Sequence, residues 1–231
     1  ASRQNPRRYE MLASHAMHIQ DIRLSQFGLL ARPWGFSVTH LTLDGIERRA
    51  SETATPDGHF GASDLLLGVS YGKRLTDLGL GLGASGKYIK QSIGEYSASA
   101  YALDLGALYR LRSAPVSVGA SLVNLGTRVR FVEQGYPLPL TFRLGAAYGM
   151  TAKFPHALTV QLDLPRDNTP NVRLGLEYLG FGPFALRAGY RTTSSAQRSA
   201  ALGKALGSSA PGLSEFYGMF MGAGFRSKFG S

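Results

Sequence analysis

Residues 171–191 read NVRLGLEYLGFGPFALRAGYR, and this largely apolar run contains arginine at positions 173, 187 and 191. A charge inside an apolar segment is costly unless the chain directs it to a separate face. Alternate residues separate by polarity in the first half of the run. The apolar face contains Val172, Leu174, Leu176 and Tyr178, and the polar face contains Asn171, Arg173, Gly175 and Glu177. A period of two predicts a β-strand with one apolar face.

The same alternation recurs elsewhere in the chain. It is clear in residues 101–110, 141–148 and 184–191, and looser in residues 78–88 and 158–164. Aromatic residues stand at the ends of several apolar faces, with aliphatic residues between them. In residues 101–110 the two tyrosines are about 26 Å apart along the strand, or about 20 Å along a membrane normal after a tilt of ~40°. We therefore predict an aromatic girdle formed by Tyr101, Tyr109, Phe142, Tyr148, Tyr178, Phe184 and Tyr190.

The opposite faces contain Gly, Ala and Ser around single charges, which is typical of a crowded or watery barrel interior. The predicted lumen-lining residues are Lys87, Asp104, Arg110, Arg143, Asp163, Arg173, Glu177, Arg187 and Arg191. The acids are expected to neutralise arginines on neighbouring strands. Since bases remain in excess, two interpretations stay open: an interior that favours anionic or amphipathic cargo, or an ion-paired network that fills a closed lumen.

The connections between these segments alternate in length. Those near 32–35, 72–77, 111–115, 151–156 and 179–183 are short. Those near 44–62, 90–97, 126–138 and 192–212 are predicted to be mostly long, and 165–171 is counted with them. Short periplasmic turns alternating with longer outer loops are typical of an up-and-down membrane barrel. We therefore predict an all-β protein, an antiparallel transmembrane β-barrel of about twelve strands between residues 11 and 226, forming a single domain over residues 1–231.

Composition and charge exclude several functional classes. The chain of 231 residues has 29 Gly, 11 Tyr, 12 Phe and no Cys, which is too apolar for disorder and leaves no thiolate chemistry. The net charge is +10, but no tract of clustered Lys and Arg exists, so we expect no nucleic-acid partner. The sequence contains no run of about 18 apolar residues, so it predicts no transmembrane helix.

One glycine motif resembles a nucleotide site. Residues 81–88, GLGASGKY, match G-x-G-x-x-G at Gly81, Gly83 and Gly86. A phosphate site also needs a helix that begins at the glycines, and the following residues have no helical period. The histidines form no ligand set, and no catalytic constellation was found. We therefore expect no enzymatic activity, no cofactor and no metal.

The ordered series of segments at 62–75, 96–110, 116–131, 138–148, 158–178 and 184–191 resembles the PorV/PorQ family of bacterial outer-membrane barrels, which is related to FadL-type transporters. The resemblance implies about fourteen strands in the full-length protein. It also implies an upstream hatch segment and a last hairpin, both of which we expect outside this sequence. It implies localisation in the outer membrane, surrounded by lipid and lipopolysaccharide, with the long loops extracellular.

Three functional hypotheses follow. The first is a partner-binding component of a secretion or surface-attachment assembly, which contacts other envelope proteins through the loops at 44–62 and 192–212. The alternative is a passive transporter of hydrophobic or small anionic compounds. The third is a soluble β-protein, which would be extracted without detergent.

Overall fold

The computed structural model describes residues 9–17, 21–49, 55–131, 134–149, 155–192 and 218–225. These residues form fourteen β-strands and one 3-10 helix, Thr76–Leu78. The strands are β1 (Tyr9–Met17), β2 (Ile22–Ala31), β3 (Trp34–Arg48), β4 (Gly58–Leu75), β5 (Leu80–Ile93), β6 (Tyr96–Arg110), β7 (Val116–Gly126), β8 (Arg128–Phe131), β9 (Gln134–Pro137), β10 (Thr141–Tyr148), β11 (His156–Pro165), β12 (Asn171–Phe181), β13 (Phe184–Arg191) and β14 (Met219–Phe225). Within these ranges, no helix has the length and hydropathy needed to span a bilayer.

Twelve strands form one sheet, in the order β1 to β7 followed by β10 to β14, and β8 pairs only with β9. Consecutive strands are therefore neighbours throughout the sheet, and every described pairing is antiparallel. The prediction of an all-β, antiparallel meander of about twelve strands is confirmed. The chain divides into two compact units. The first unit contains Ala1–Arg74, Gly81–Gly106 and Leu122–Leu140, and the second contains Leu75–Leu80, Ala107–Ser121 and Thr141–Ser231.

In the second unit, strand register places like faces opposite each other. Leu174 lies opposite Tyr190, and Glu177 lies opposite Arg187. Since directly paired residues point to the same side of a sheet, an apolar face and a charged face run across β10 to β13. The apolar face is solvent-exposed: Leu174 and Leu176 are 49% and 43% accessible. Apolar and polar residues lie on opposite faces, as they would in a soluble sheet. However, nothing in the described part of this unit covers the apolar face.

In the first unit, β3 and β4 show the same exposed apolar face. Phe36 pairs with Val69, and Val38 pairs with Leu67, and all four side chains are exposed. The buried apolar cluster of this unit is small. It consists of Ala98, Ala100, Ala102, Val129 and Leu138. The three alanines alternate along β6 with exposed Tyr101 and Leu103, so the cluster lies on the side of β6 opposite its apolar face.

Two predicted connections differ from the structure. The connection predicted at 90–97 is only the pair 94–95, because β5 and β6 extend to Ile93 and from Tyr96. Gly94 adopts a φ of +57°, a conformation available to glycine at little cost, which permits a two-residue hairpin. The connection predicted as a long loop at 126–138 contains the hairpin β8–β9. The strict alternation of short and long connections was therefore wrong.

Strand extension also shortens two other predicted connections. The one predicted at 44–62 reduces to residues 49–57, since β3 continues to Arg48 and β4 begins at Gly58. The one predicted at 72–77 lies at residues 76–79 instead, since β4 continues to Leu75 and β5 begins at Leu80. The residues of these strand ends continue the antiparallel ladder, as in the pair Arg48 and Gly58. The connection at 192–212 lies outside the described residues except for Thr192.

Candidate functional site on the charged face

Asp163 is the centre of an ion-paired cluster in the second unit. Its side chain is only 3% accessible, and its Oδ2 lies 2.9 Å from Nη2 of Arg173. Its Oδ1 lies 3.5 Å from Nε of Arg143, although this nitrogen makes no hydrogen bond. Gln161 Nε2 donates a hydrogen bond of 2.6 Å to the same Oδ1. One carboxylate therefore faces two guanidinium groups, and the cluster has a net positive charge.

The register of β10, β11 and β12 assembles this cluster. Arg143 pairs with Asp163, and Gln161 pairs with Arg173. Asp163 and Arg173 are thus diagonal neighbours on the same side of the sheet, a separation that a long arginine side chain can span. The alternation in the sequence predicted the shared face, and the pairing explains why the three charges meet.

Glu177 and Arg187 form a second pair, on β12 and β13. Arg187 Nη2 lies 2.7 Å from Oε1 of Glu177, and its Nε donates a 2.8 Å hydrogen bond to the same oxygen. The two residues are directly opposite in the register. This is the neutralisation of an arginine by an acid on a neighbouring strand that the sequence predicted.

Arg191 and Arg110 have different surroundings. Arg191 lies directly opposite Arg173, so two cations share one cross-strand position, where like charges repel. Arg110 is exposed, and its backbone N–H donates to the carbonyl oxygen of Gly79. No ion pair of either side chain with a described residue is found. Both guanidinium groups thus add to the basic excess on the charged face.

In the first unit, Lys87 and Asp104 form the corresponding pair. Lys87 Nζ lies 2.7 Å from Asp104 Oδ1, and the two side chains are 11% and 25% accessible. Asn124 completes the group, since its backbone N–H donates to Asp104 Oδ1 at 2.8 Å and its Oδ1 accepts from Lys87. Asn124 Nδ2 also donates to the carbonyl oxygen of Pro139.

Sequence reasoning missed Gln161 and Asn124, because it considered only charged residues on the polar faces. Gln161 could have been found, since it lies two residues before Asp163 and therefore on the same face of a predicted strand. Asn124 has a φ of +64°, which is uncommon for a residue other than glycine. No pattern of period two indicates such a position.

The predicted girdle residues lie on exposed apolar faces. Six of the seven are at least 37% accessible, namely Tyr101, Tyr109, Phe142, Tyr148, Phe184 and Tyr190. Tyr178 is partly buried and stacks on His156, with ring centroids 5.1 Å apart. Their role as a girdle, and the lumen-lining role of the charged residues, stay predictions.

An open apolar cavity of about 670 Å³ lies against β10 to β14 in the second unit. The small side chains Ala146 and Ala188 leave space between larger neighbours, which include Leu158, Leu174 and Tyr190. Such a cavity has the chemistry to contact an aliphatic or aromatic compound.

The glycine motif at 81–88 lies within β5, which continues to Ile93. The helix that a phosphate site requires is therefore not formed at these glycines. Among the described residues, no group of three His, Asp or Glu side chains is arranged to hold a metal ion. The geometry provides ion pairs and apolar surface on opposite sides of a sheet.

Neither a family model nor a curated protein sequence matches the chain, so the resemblance to PorV/PorQ stays a prediction. Among solved structures, the chain is similar to the toluene transporter TodX of Pseudomonas putida. The identity is 13% and the TM-score is 0.48, over 81% of this chain and 73% of that chain. At this level of identity, the activity of TodX cannot be transferred to this chain.

Proposed function

We propose that the chain forms an outer-membrane β-barrel that passively transports hydrophobic or small anionic compounds and catalyses no reaction. The observation behind this proposal is the two-sided sheet. In the described residues, 38 large apolar side chains are exposed, and only six apolar residues are buried, four of them alanines. Lipid is the surrounding that would satisfy such an apolar surface, while the opposite side holds hydrogen-bonded charges.

Closure of the sheet into a barrel is part of this proposal. Open edge strands cannot hydrogen-bond within hydrocarbon, so only a closed sheet can span a bilayer. A tilted strand needs about 9 to 11 residues to cross a bilayer. Strands β3 to β6 are longer than this, with 14 to 18 residues each. We propose that the end of the sheet with the connection 49–57, the turn 94–95 and the hairpin β8–β9 faces the outside, and that the opposite end faces the periplasm.

One feature supports transport over a purely structural role. Bases exceed acids on the charged face, which would attract anionic solutes to a water-filled interior. The apolar cavity beside β10 to β14 is lined by Leu158, Leu174 and Tyr190, which belong to the face proposed to contact lipid, so a hydrophobic compound would reach it from the bilayer and not from the interior. The first hypothesis, a partner-binding secretion component, was predicted to use the loops at 44–62 and 192–212. Only Thr192 of the second loop is among the described residues, so that hypothesis stays a prediction.

The test is reconstitution of the purified chain into vesicles. We expect the chain to require detergent for extraction, and to raise the uptake of a fluorescent aliphatic carboxylate and of gluconate above that of protein-free vesicles. Extraction by buffer alone would contradict the membrane proposal. Stable insertion with no uptake of either compound would contradict transport and leave the membrane barrel intact.

A further inference from the structure

The hairpin β8–β9 packs on the charged side of the first unit. Its Val129 is 6% accessible, and Leu138, just beyond its last strand, is 8% accessible. Both pack against Ala98, Ala100 and Ala102 of β6. These alanines share a side of β6 with Asp104, opposite the exposed Tyr101 and Leu103. The hairpin therefore covers the surface that the proposed barrel would direct to its interior.

Polar contacts fix both ends of this segment. Thr127 donates its backbone N–H to the carbonyl oxygen of Tyr101 at 2.9 Å, and its Oγ1 accepts from the Tyr101 N–H at 3.0 Å. At the other end, Asn124 Nδ2 donates to the carbonyl oxygen of Pro139 at 3.2 Å. Since Asn124 also binds Lys87 and Asp104, the hairpin is joined to the ion pair of the charged face.

Two arginines lie on the side of the hairpin away from Val129. Arg128 and Arg130 alternate with Val129 along β8, and both are exposed. Arg130 pairs with Gly135, and a side chain at Gly135 would contact Arg128 and Arg130. Both arginine side chains therefore lie beside Gly135, on one side of the hairpin. Among the described residues, neither arginine forms an ion pair.

We propose that the hairpin β8–β9 narrows the pathway over β5 and β6, and that Arg128 and Arg130 make this constriction selective for anionic solutes. The inference rests on the proposed transport function and adds the residues that determine its selectivity. Unpaired cations at a narrow point raise the local concentration of anions and repel cations. In the first unit the charges of Lys87 and Asp104 neutralise each other, so Arg128 and Arg130 supply the unpaired charge at the point of narrowing.

The experiment is a comparison of gluconate and glucose uptake by vesicles that contain the full chain, since the two solutes are similar in size and differ in charge. We expect the wild type to favour gluconate at low salt. In Arg128→Glu/Arg130→Glu the ratio of the two rates should fall by at least about threefold. Arg128→Lys/Arg130→Lys should keep the ratio, and Lys73→Glu/Arg74→Glu, the same change in charge at an exposed end of β4, should alter it less.

A second variant tests the position of the hairpin. Leu138→Ser removes a buried apolar contact and should release the hairpin, so that both solutes pass faster and the ratio approaches one. Uptake of both solutes with a ratio that neither the Glu variants nor Leu138→Ser change would overturn the inference and leave transport standing. If inserted wild-type protein admits neither solute, transport of small solutes is itself contradicted, and the inference with it.

Discussion

At the scale of single residues, the ion pairs of Asp163 are expected to contribute to stability. Its carboxylate is almost fully buried and faces two arginines that are 40% and 45% accessible. In Asp163→Asn these cations lose their counter-charge, while water still reaches them in part. We expect a loss of about 1–3 kcal/mol, below the full cost of breaking a buried pair. Unfolding by guanidinium in detergent, followed by circular dichroism, measures this difference.

Glu10→Gln provides the matched control for Asp163→Asn. Glu10 pairs with Arg32 at 3.0 Å, but both side chains are more than half exposed. An exposed pair contributes about 0–1 kcal/mol. Equal losses in the two variants would show that burial of Asp163 does not contribute to stability.

Gly126 is a second residue with a specific steric role. A Cβ at this position would overlap the carbonyl oxygen of Tyr101 and come within 3.0 Å of a methyl group of Leu138. Because the backbone of β6 cannot move easily, we expect Gly126→Ala to cost about 1–3 kcal/mol, as overpacking does. Gly86→Ala is the control, since nothing lies within 4 Å of an added Cβ there. A control variant as unstable as Gly126→Ala would refute the steric explanation.

Residue identity predicted which charges share a face, but not which of them pair. The faces follow from the strict period of two in strands such as β12. The cluster around Asp163 depends on strand register. Arg173 lies on the strand next to Asp163, two positions from the residue that pairs directly with Asp163. A single sequence contains no direct signal for that offset.

At the scale of elements, the membrane proposal predicts that the apolar faces of β11 to β13 contact lipid. Leu176 lies between Leu158 and Ala188 in the register, so it is surrounded by other apolar side chains. A charge at the lipid face of a barrel costs about 2–4 kcal/mol near the bilayer centre. We therefore expect Leu176→Arg to lower the free energy of unfolding in vesicles by that amount and to reduce the folding yield.

Leu78→Arg is the control for this element. Leu78 is 61% accessible and lies in the 3-10 helix between β4 and β5, at the end of the strands. The expected cost there is about 0–1 kcal/mol. If Leu176→Arg is tolerated as well as Leu78→Arg, the apolar face does not contact lipid.

The hairpin β8–β9 shows where element prediction failed. The segment TRVRFVEQGYP, residues 127–137, does alternate around Val129 and Phe131, and it contains Gly135. Two strands of four residues each are too short to stand out against a long connection. Their stability depends on packing against the alanines of β6, which lie about thirty positions earlier in the chain, so local pattern alone does not predict them.

At the scale of the whole molecule, the distribution of apolar area predicts that folding requires an amphiphile. No large side chain among the described residues is fully buried, whereas exposed apolar side chains are numerous on both units. Burial of apolar area supplies most of the free energy of folding in water, so this sheet would gain too little of it without lipid. Urea-unfolded protein diluted into detergent or vesicles should regain a β-sheet spectrum, while dilution into buffer alone should produce aggregates. A monomeric, folded protein in buffer alone would contradict the membrane proposal and favour a soluble β-protein.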